Sequence, residues 1–371
     1  MKTWDVALAL REWASEHKLL QTALPETGEE PENLKGPLAI VQQSLGKHVE
    51  LFERNPITAL VVNEARKTVF VYTAKPVPKR KARALPTGLA ASAKSAAVTI
   101  EFRQAKPQTI GNEEPDAPPA LPASAFADGR YTCGSSISIA NDRQAGTLGC
   151  LVRDAKGQLY GLTNNHVTGG CNNALPGTPI LAPGVMDVAP GNYDPFTIGH
   201  HHSVLPLHQG EPNVVNAKLN TDVALFTIAD KRRVSSMQSS AYDTPAEVVA
   251  FGDDMQVEKV GRTTGLTRGV VQGIVVGPVG VVYNVTTYHS ASAGTPFVGR
   301  AFFEPVYLVH GIGGPFSQPG DSGSLVTALK RDGTRVAVGL VFAGLVPAES
   351  YVLPLAPILK RLKVSLVSGH A

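Results

Sequence analysis

The first hundred residues carry one helix-like and several strand-like hydrophobic patterns. In residues 4–22 the apolar side chains recur near the 3.6-residue spacing of an amphipathic helix. The next apolar segments predict a hairpin over 58–64 and 67–74, a helix around 89–97 and a strand over 97–104. Together these elements predict a small α+β domain over residues 1–105.

Residues 106–128 are rich in proline, alanine and acidic residues and show no hydrophobic period. We therefore expect a partly extended, Pro-rich linker. Beyond it, short apolar runs separated by Gly, Pro and Asn predict a mainly β domain over 129–371. We expect strands at 145–152, 158–165, 222–228, 247–252, 269–278, 301–309 and 335–344. A last helical pattern covers 353–366 and predicts a C-terminal helix.

Composition narrows the class of protein and its compartment. With 371 residues and 43% hydrophobic residues the chain can bury sizeable cores, and a net charge of +3 does not indicate nucleic-acid binding. Charged residues interrupt the N-terminal segment, so it lacks the apolar core of a signal peptide, and no run is long enough to span a membrane. Three cysteines without paired spacing favour a reducing compartment. We expect a cytoplasmic protein whose fold does not depend on disulfides.

The strongest chemical signal is the hexapeptide PGDSGS at residues 319–324. A serine hydroxyl is a poor nucleophile unless a base takes its proton and N–H donors stabilise the developing oxyanion. Gly320 allows the turn that aims its own N–H and that of Ser322 at one point. These two N–H groups are the predicted oxyanion hole. The alternative is an ordinary polar turn before the strand that follows.

Two further motifs supply a base and an acid. LTNNHV ends an apolar strand on His166, and imidazole titrates near neutral pH, as a general base must. NTDVAL begins an apolar strand with Asp222, and a carboxylate buried there needs a partner such as the second imidazole nitrogen. Each motif alone is more often structural. The chain order His166, Asp222, Ser322 is, however, one of the three known orders of a catalytic triad.

Residues 130–366 resemble the trypsin-like, chymotrypsin-fold serine peptidases through GTLGCLV, LTNNHV, NTDVAL, VGRTTGLTRG, PGDSGS and VGLVFAG. Within that family they resemble an intracellular bacterial and plant branch that includes a plant leaf-shape protein. The resemblance implies two Greek-key β-barrels with a C-terminal helix, and a triad in the cleft between the barrels. It implies a serine endopeptidase that takes protein or peptide substrates and needs no metal or other cofactor.

The chain departs from secreted members of that family at two places. Val167 follows His166 where many relatives have a disulfide-bonded cysteine, so Cys150 and Cys171 are expected to be free thiols, with a bridge between them as the alternative. The catalytic domain also lacks the Ile-Val-Gly-Gly start that, in relatives, inserts beside the residue equivalent to Asp321. Activation by a newly cut N-terminus is therefore not expected.

The resemblance also implies a substrate pocket. Phe316, six residues before the nucleophile, is expected at its base, and Gly339, Phe342 and Gly344 are expected to line its walls. An aromatic residue at the base cannot pair with a cationic side chain, which disfavours cleavage after Lys or Arg. We expect a shallow pocket for small or apolar residues.

Three other signals are weaker. The histidines at 200–202 and 208 suggest a metal site, but adjacent residues rarely point the same way, so we expect a surface loop without metal. The basic run at 78–83 is short and lacks aromatic residues, so a solvated loop is expected there rather than a nucleic-acid site. Asp187 and Asp194 are rival triad acids, but neither begins an apolar strand, and both are interpreted as turn residues.

Two other functions remain open at this stage. One is a binding or scaffold protein that keeps the barrels but has lost hydrolysis. The other makes residues 1–105 a recruitment or homo-oligomerisation module attached to the peptidase. An active cytoplasmic peptidase also needs restraint, and we expect residues 1–105 to pack against the catalytic unit and limit access to Ser322. No membrane or nucleic-acid partner is expected.

Overall fold

A computed structural model describes most of the chain, and the protein is mainly β. The described residues are 2–20, 52–78, 97–111, 126–127, 129–140, 142, 144–188, 196–211, 214–290 and 293–370.

The chain begins with a helix packed on three strands. The elements are α1 (Thr3–Glu16), β1 (Ile57–Asn63), β2 (Thr68–Thr73) and β3 (Thr99–Gln104), followed by the short strands β4 (Lys106–Pro107) and β5 (Thr109–Gly111). β1 and β2 form an antiparallel hairpin and β3 runs parallel to β2. The apolar face of α1, including Trp13, is buried against these strands. The predicted N-terminal helix, hairpin and strand are confirmed, whereas the helix expected around 89–97 lies almost wholly outside the described residues.

The middle of the chain supplies the first barrel. Its elements are β6 (Phe126–Ala127), β7 (Arg130–Cys133), β8 (Ser136–Ile139), β9 (Gly146–Thr147), β10 (Cys150–Asp154), β11 (Leu159–Thr163), α2 (Asn165–Thr168), β12 (Pro179–Ala182), β13 (Phe196–Leu205) and β14 (Val223–Ile228). Short 3₁₀ turns cover Gly170–Asn172 and Val185–Asp187.

The last part of the chain supplies the second barrel. The elements of this part of the chain are β15 (Val234–Gln238), β16 (Tyr242–Asp243), β17 (Gln256–Gly261), β18 (Gly265–Val275), β19 (Val279–Ser290), β20 (Ala293–Phe303), β21 (Tyr307–Gly311), β22 (Leu325–Leu329), β23 (Arg335–Val346), β24 (Glu349–Pro354), α3 (Leu355–Leu362) and β25 (Val364–Leu366). Outside the barrel, β15 and β16 form a small sheet with β6 and β7, and the hairpin of β19 and β20 forms another with β5. A 3₁₀ turn covers Lys231–Arg233.

The second barrel is closed and the first is a half-barrel, as expected for a two-barrel, chymotrypsin-like fold with a C-terminal helix. The closed barrel follows the order β17-β22-β23-β24-β21-β18, and β17 pairs with β18 to complete it. The chain crosses from β21, beside β18, to β22, beside β17, which is a Greek-key connection. The half-barrel has the order β25-β10-β11-β14-β13-β12-β8-β9, so the C-terminal strand returns to the first barrel.

The sheet of the second barrel continues into the N-terminal strands. β1 pairs with β18 through Val61↔Val275 and Val62↔Ile274, which extends the sheet to β2 and β3. One hydrophobic cluster includes Phe70 and Tyr72 of β2 together with residues of both barrels. Residues 1–105 therefore share backbone hydrogen bonds and a core with the barrels, and the predicted division into two domains with a linker stays a prediction.

Five predicted elements differ from the structure. The predicted strand 145–152 is divided into β9 and β10, and the predicted strand 301–309 is divided at residues 304–306 between the end of β20 and β21. Residues 247–252 form no strand, since Val248 makes only an isolated bridge to Ala337 of β23. The histidines at 200–202 lie within β13 rather than in a surface loop, and His201 is buried between two exposed neighbours because successive strand residues face opposite sides. The C-terminal helix is shorter than 353–366, since Lys363 is left-handed and β25 follows it.

Within the described residues, none of the helices is long and apolar enough to cross a membrane.

Candidate active site

His166 and Asp222 meet at one end of the first barrel. β11 and β14 pair in antiparallel register through Thr163↔Ala224, which brings the residues that follow β11 beside those that precede β14. The Asn164 side chain donates to the carbonyl of Asp222 over 2.6 Å and fixes the two turns to each other. His166 then lies in α2, where its own backbone N–H donates to Asp222 Oδ1 over 3.0 Å.

The imidazole of His166 is held in one orientation by the same carboxylate. Its Nδ1 lies 2.6 Å from Asp222 Oδ2, and the two side chains are 5% and 0% exposed. An ionised carboxylate only accepts hydrogen bonds, so Nδ1 donates the proton and Nε2 is left as an acceptor. This is the tautomer that a general base requires.

Tyr283 of β19 is a third member of this cluster, and the sequence analysis missed it. Its hydroxyl donates to Asp222 Oδ2 over 2.9 Å, and its ring is completely buried. Burial, followed by the negative charge of Asp222, raises the pKa of Tyr283 well above its ordinary value, so the hydroxyl stays protonated. The buried carboxylate thus accepts three hydrogen bonds, from two groups of His166 and from Tyr283.

Ser322 lies on the turn that precedes β22. Gly320 has a φ of +94°, and a Cβ there would lie 2.3 Å from Thr263 Oγ1, so this position accepts only glycine without strain. The carbonyl groups of Gly320 and Ser322 accept hydrogen bonds from the Thr147 side chain and backbone, both over 2.9 Å. Within the described part of the chain, the N–H groups of Gly320 and Ser322 have no protein acceptor, whereas the Asp321 N–H donates to the Gln318 carbonyl.

Asp321, between those two N–H groups, is fully buried and held by charge. Lys259 Nζ lies 3.3 Å from Asp321 Oδ2, and both side chains are 0% exposed. The carboxylate also accepts from the backbone N–H groups of Thr263, Thr264 and Gln318 and from the Thr264 hydroxyl. Burial lowers the pKa of Lys259, and the charge of Asp321 opposes that shift. An internal lysine ammonium therefore provides the positive charge beside Asp321.

Arg262, the second residue of the GRTTG motif at 261–265, connects the two barrels. Its guanidinium donates through two nitrogens to Asp187, with Nε 2.7 Å from Oδ2. Its backbone N–H donates to Thr147 Oγ1 over 3.0 Å. Asp187 lies in a 3₁₀ turn, as a turn residue, and also accepts from Ser136. These bonds tie the turn at 262–264, which follows β17 and carries Thr263, to the first barrel. Asp194 lies outside the described residues.

A cavity of about 370 Å³ joins the predicted catalytic groups. His166, Gly320 and Ser322 all line it. Of the four predicted pocket residues, Phe342 and Gly344 also line it. Phe316 instead packs inside the closed barrel with Val309 and Val257, and Gly339 lies against Phe251 and Val352. Phe316 therefore does not form the bottom of this cavity, because its side chain points into the barrel core. The predicted reason for disfavouring Lys and Arg side chains is thus absent.

All three cysteines are free and buried. Burial raises the pKa of Cys133 to about 12 and raises the pKa of Cys150 and of Cys171 well above the ordinary value. No group of three His, Cys, Asp or Glu side chains that could hold a metal ion occurs among the residues described.

The chain has no match among family models or curated proteins, and it is similar to some solved structures. Solved structures of serine proteases do match. The chain has a chymotrypsin-like fold. Protease A of Thermobifida fusca is 16% identical with a TM-score of 0.38, over 64% of this chain and 98% of that one. The Nocardiopsis protease is 18% identical with a TM-score of 0.39, over 63% and 97%. Cellulomonas bogoriensis chymotrypsin is 14% identical with a TM-score of 0.38, over 64% and 98%.

Proposed function

We propose that this protein is a serine endopeptidase with His166, Asp222 and Ser322 as its catalytic triad. The observation that carries the proposal is one cavity lined by Ser322 and by His166, whose Nδ1 is bonded to the buried carboxylate of Asp222. The chymotrypsin-like fold is consistent with it and does not by itself establish activity.

The proposed reaction is acyl transfer to the serine, followed by hydrolysis. His166 Nε2 takes the proton of the Ser322 hydroxyl as Oγ attacks the scissile carbonyl carbon, and the tetrahedral oxyanion is stabilised by the N–H groups of Gly320 and Ser322. His166 then gives that proton to the leaving amine as the C–N bond breaks. Water, deprotonated by His166, attacks the acyl-enzyme, and the protonated imidazole returns the proton to Ser322.

Asp222 and Tyr283 support this cycle without exchanging protons. The Asp222 carboxylate keeps the imidazole tautomer and stabilises its charged form. Tyr283 supplies a fixed, buried donor to the same carboxylate. The Lys259–Asp321 pair holds the turn that carries both oxyanion donors, so the site is assembled without a newly cut N-terminus.

We also propose the cytoplasm as the site of action and the intracellular branch of the family as the origin. The support is the chain's three buried, unpaired thiols, which suit a reducing compartment.

A fluorophosphonate probe tests the peptidase proposal directly. The probe is expected to label the wild-type protein on Ser322, and Ser322→Ala and His166→Ala are expected to reduce cleavage of a peptide library by about 10⁴-fold or more. Ser365→Ala, on β25, is the matched control for loss of a serine and should retain both activities. A well-folded wild-type protein that is neither labelled nor able to cleave would favour the silent binding protein.

A further inference from the structure

One side of β23 is open beside Ser322. On the β22 side, backbone bonding to β23 ends at Val341, which exchanges hydrogen bonds with Gly323 and Ser324. The chain before them bends away into the turn that carries Ser322. From Phe342 onward, β23 keeps β24 as its partner on one side, while the other side faces the cavity. A strand edge of this kind is a ready template for an extended peptide.

The chain fills part of that edge with its own residues 106–111. β4 pairs antiparallel with the end of β23, through Lys106↔Val346 and Pro107↔Leu345. The Gln108 N–H then donates to the Gly344 carbonyl over 3.1 Å. Three consecutive residues thus continue the ladder toward Ser322.

The segment is anchored on both sides of the cavity. Before it, the buried Ala105 donates to the Thr73 carbonyl and accepts from the Thr58 hydroxyl. After it, the chain turns away from β23, and β5 pairs in parallel with β19, where Ile110 lies opposite Tyr283. Residues 108–111 line the same cavity as His166 and Ser322. The segment therefore crosses the candidate active site as a strap.

Gln108 also divides the space next to Ser322. It lines the 370 Å³ cavity and a second one of 220 Å³, which Ser317, Pro319 and Glu349 also line. Both cavities border the turn at 317–319. If the strap moved and Gln108 left this position, the two cavities would join into one cleft along β23.

We infer that residues 106–108 occupy the edge of β23, Gly344 to Val346, as an intramolecular competitor of the extended peptide that the proposed peptidase would bind there as an added strand. This inference rests on the proposed function for the identity of the peptide as substrate. A tethered occupant acts at an effective concentration near the millimolar range, so a peptide must bind well or be delivered locally to replace it. The strap therefore restrains cleavage while leaving the triad intact.

A reversible lock tests the inference in the full chain. Lys106 and Val346 are exposed and lie opposite each other in the pairing of β4 with β23. In the double variant Lys106→Cys/Val346→Cys, the two new cysteines can form a disulfide that fixes the strap to β23. The oxidised protein is expected to cleave a peptide library at least tenfold more slowly than the same protein after reduction, while a small fluorophosphonate labels both forms equally. Lys106→Cys alone should show no dependence on reductant. Equal peptide cleavage by the oxidised and reduced forms would overturn the inference.

A binding measurement separates this inference from the peptidase proposal. Gln108→Pro removes the N–H that bonds to Gly344, whereas Gln108→Ala keeps it and serves as the matched control. A fluorescein-labelled peptide with the sequence Lys-Pro-Gln-Thr-Ile-Gly is expected to bind Gln108→Pro at least tenfold more tightly than Gln108→Ala. Equal affinity would refute strand displacement whatever the catalytic activity. Failure of the probe to label any form would refute only the peptidase.

Discussion

Tyr283 illustrates what a single buried hydroxyl does at this site. The other donors to the Asp222 carboxylate among the described residues belong to His166 of α2, whereas Tyr283 comes from the hairpin formed by β19 and β20. Without it, the carboxylate that orients His166 would keep only the two hydrogen bonds from His166 itself.

We expect Tyr283→Phe to lower kcat about tenfold with little change in KM, because a hydrogen bond to a charged group contributes about 1.5–3 kcal/mol and here acts on the orientation of the base. Peptide-cleavage kinetics measure both constants. Tyr288→Phe, at an exposed position of the same strand, is the control and should match the wild type. A Tyr283→Phe protein with unchanged kcat would show that two donors suffice to fix Asp222.

The Lys259–Asp321 pair is the second feature at residue scale. Removing one partner of a buried pair leaves the other charge uncompensated, at a cost of about 3–5 kcal/mol. We expect Lys259→Met to lower the free energy of unfolding in urea by that amount and to slow fluorophosphonate labelling of Ser322. Lys330→Met breaks the partly exposed pair with Glu247 and should cost less than about 1 kcal/mol. Equal losses in the two variants would contradict a special role for the buried ammonium.

At the scale of elements, continuous apolar runs were sufficient to predict many strands. β1, β2, β10, β11, β14, β18 and β23 all coincide with such runs, because strands buried on both faces leave no polar alternation to interpret. The segment 247–252 has the same composition but forms only one bridge, from Val248 to Ala337, because β24 occupies that side of β23 from Gly339 onward. A short apolar run therefore predicts burial better than it predicts pairing.

Among the strands that the sequence analysis did not predict, β13 and β19 were missed because their polar residues concealed the period. In β13, His201 faces inward, and burial lowers its pKa to about 4, whereas His200 and His202 face outward. In β19, the buried Tyr283 and Val285 alternate with Asn284 and Thr286, and this period-two signal could have revealed both the strand and the third member of the Asp222 cluster. The proposed triad residues, in contrast, lie in short motifs with a known chain order. The pairing of residues 106–108 with β23 depends on contacts more than 200 positions apart, which local pattern does not encode.

At the scale of the whole molecule, the N-terminal strands and the second barrel are one sheet. Deleting residues 1–128 would leave Ile274 and Val275 of β18 without their partners in β1 and would expose part of the shared core. A comparison of the truncated protein with the full chain would therefore combine the effect of a damaged fold with the effect of an opened cleft. The disulfide lock across β4 and β23 changes the cleft alone.

The sheet shared by the N-terminal strands and the second barrel also affects how the protein unfolds. The chain's own tryptophans and cysteines can report that unfolding. Both tryptophans lie in α1, and all three cysteines lie between 133 and 171, in or beside the first barrel. Buried thiols with raised pKa values react with alkylating reagents only when the surrounding structure opens. We expect tryptophan fluorescence and thiol labelling to report the same urea midpoint, because the sheet and core join the regions they probe. Separate midpoints would reveal that the N-terminal layer melts from the barrels as an independent cooperative unit.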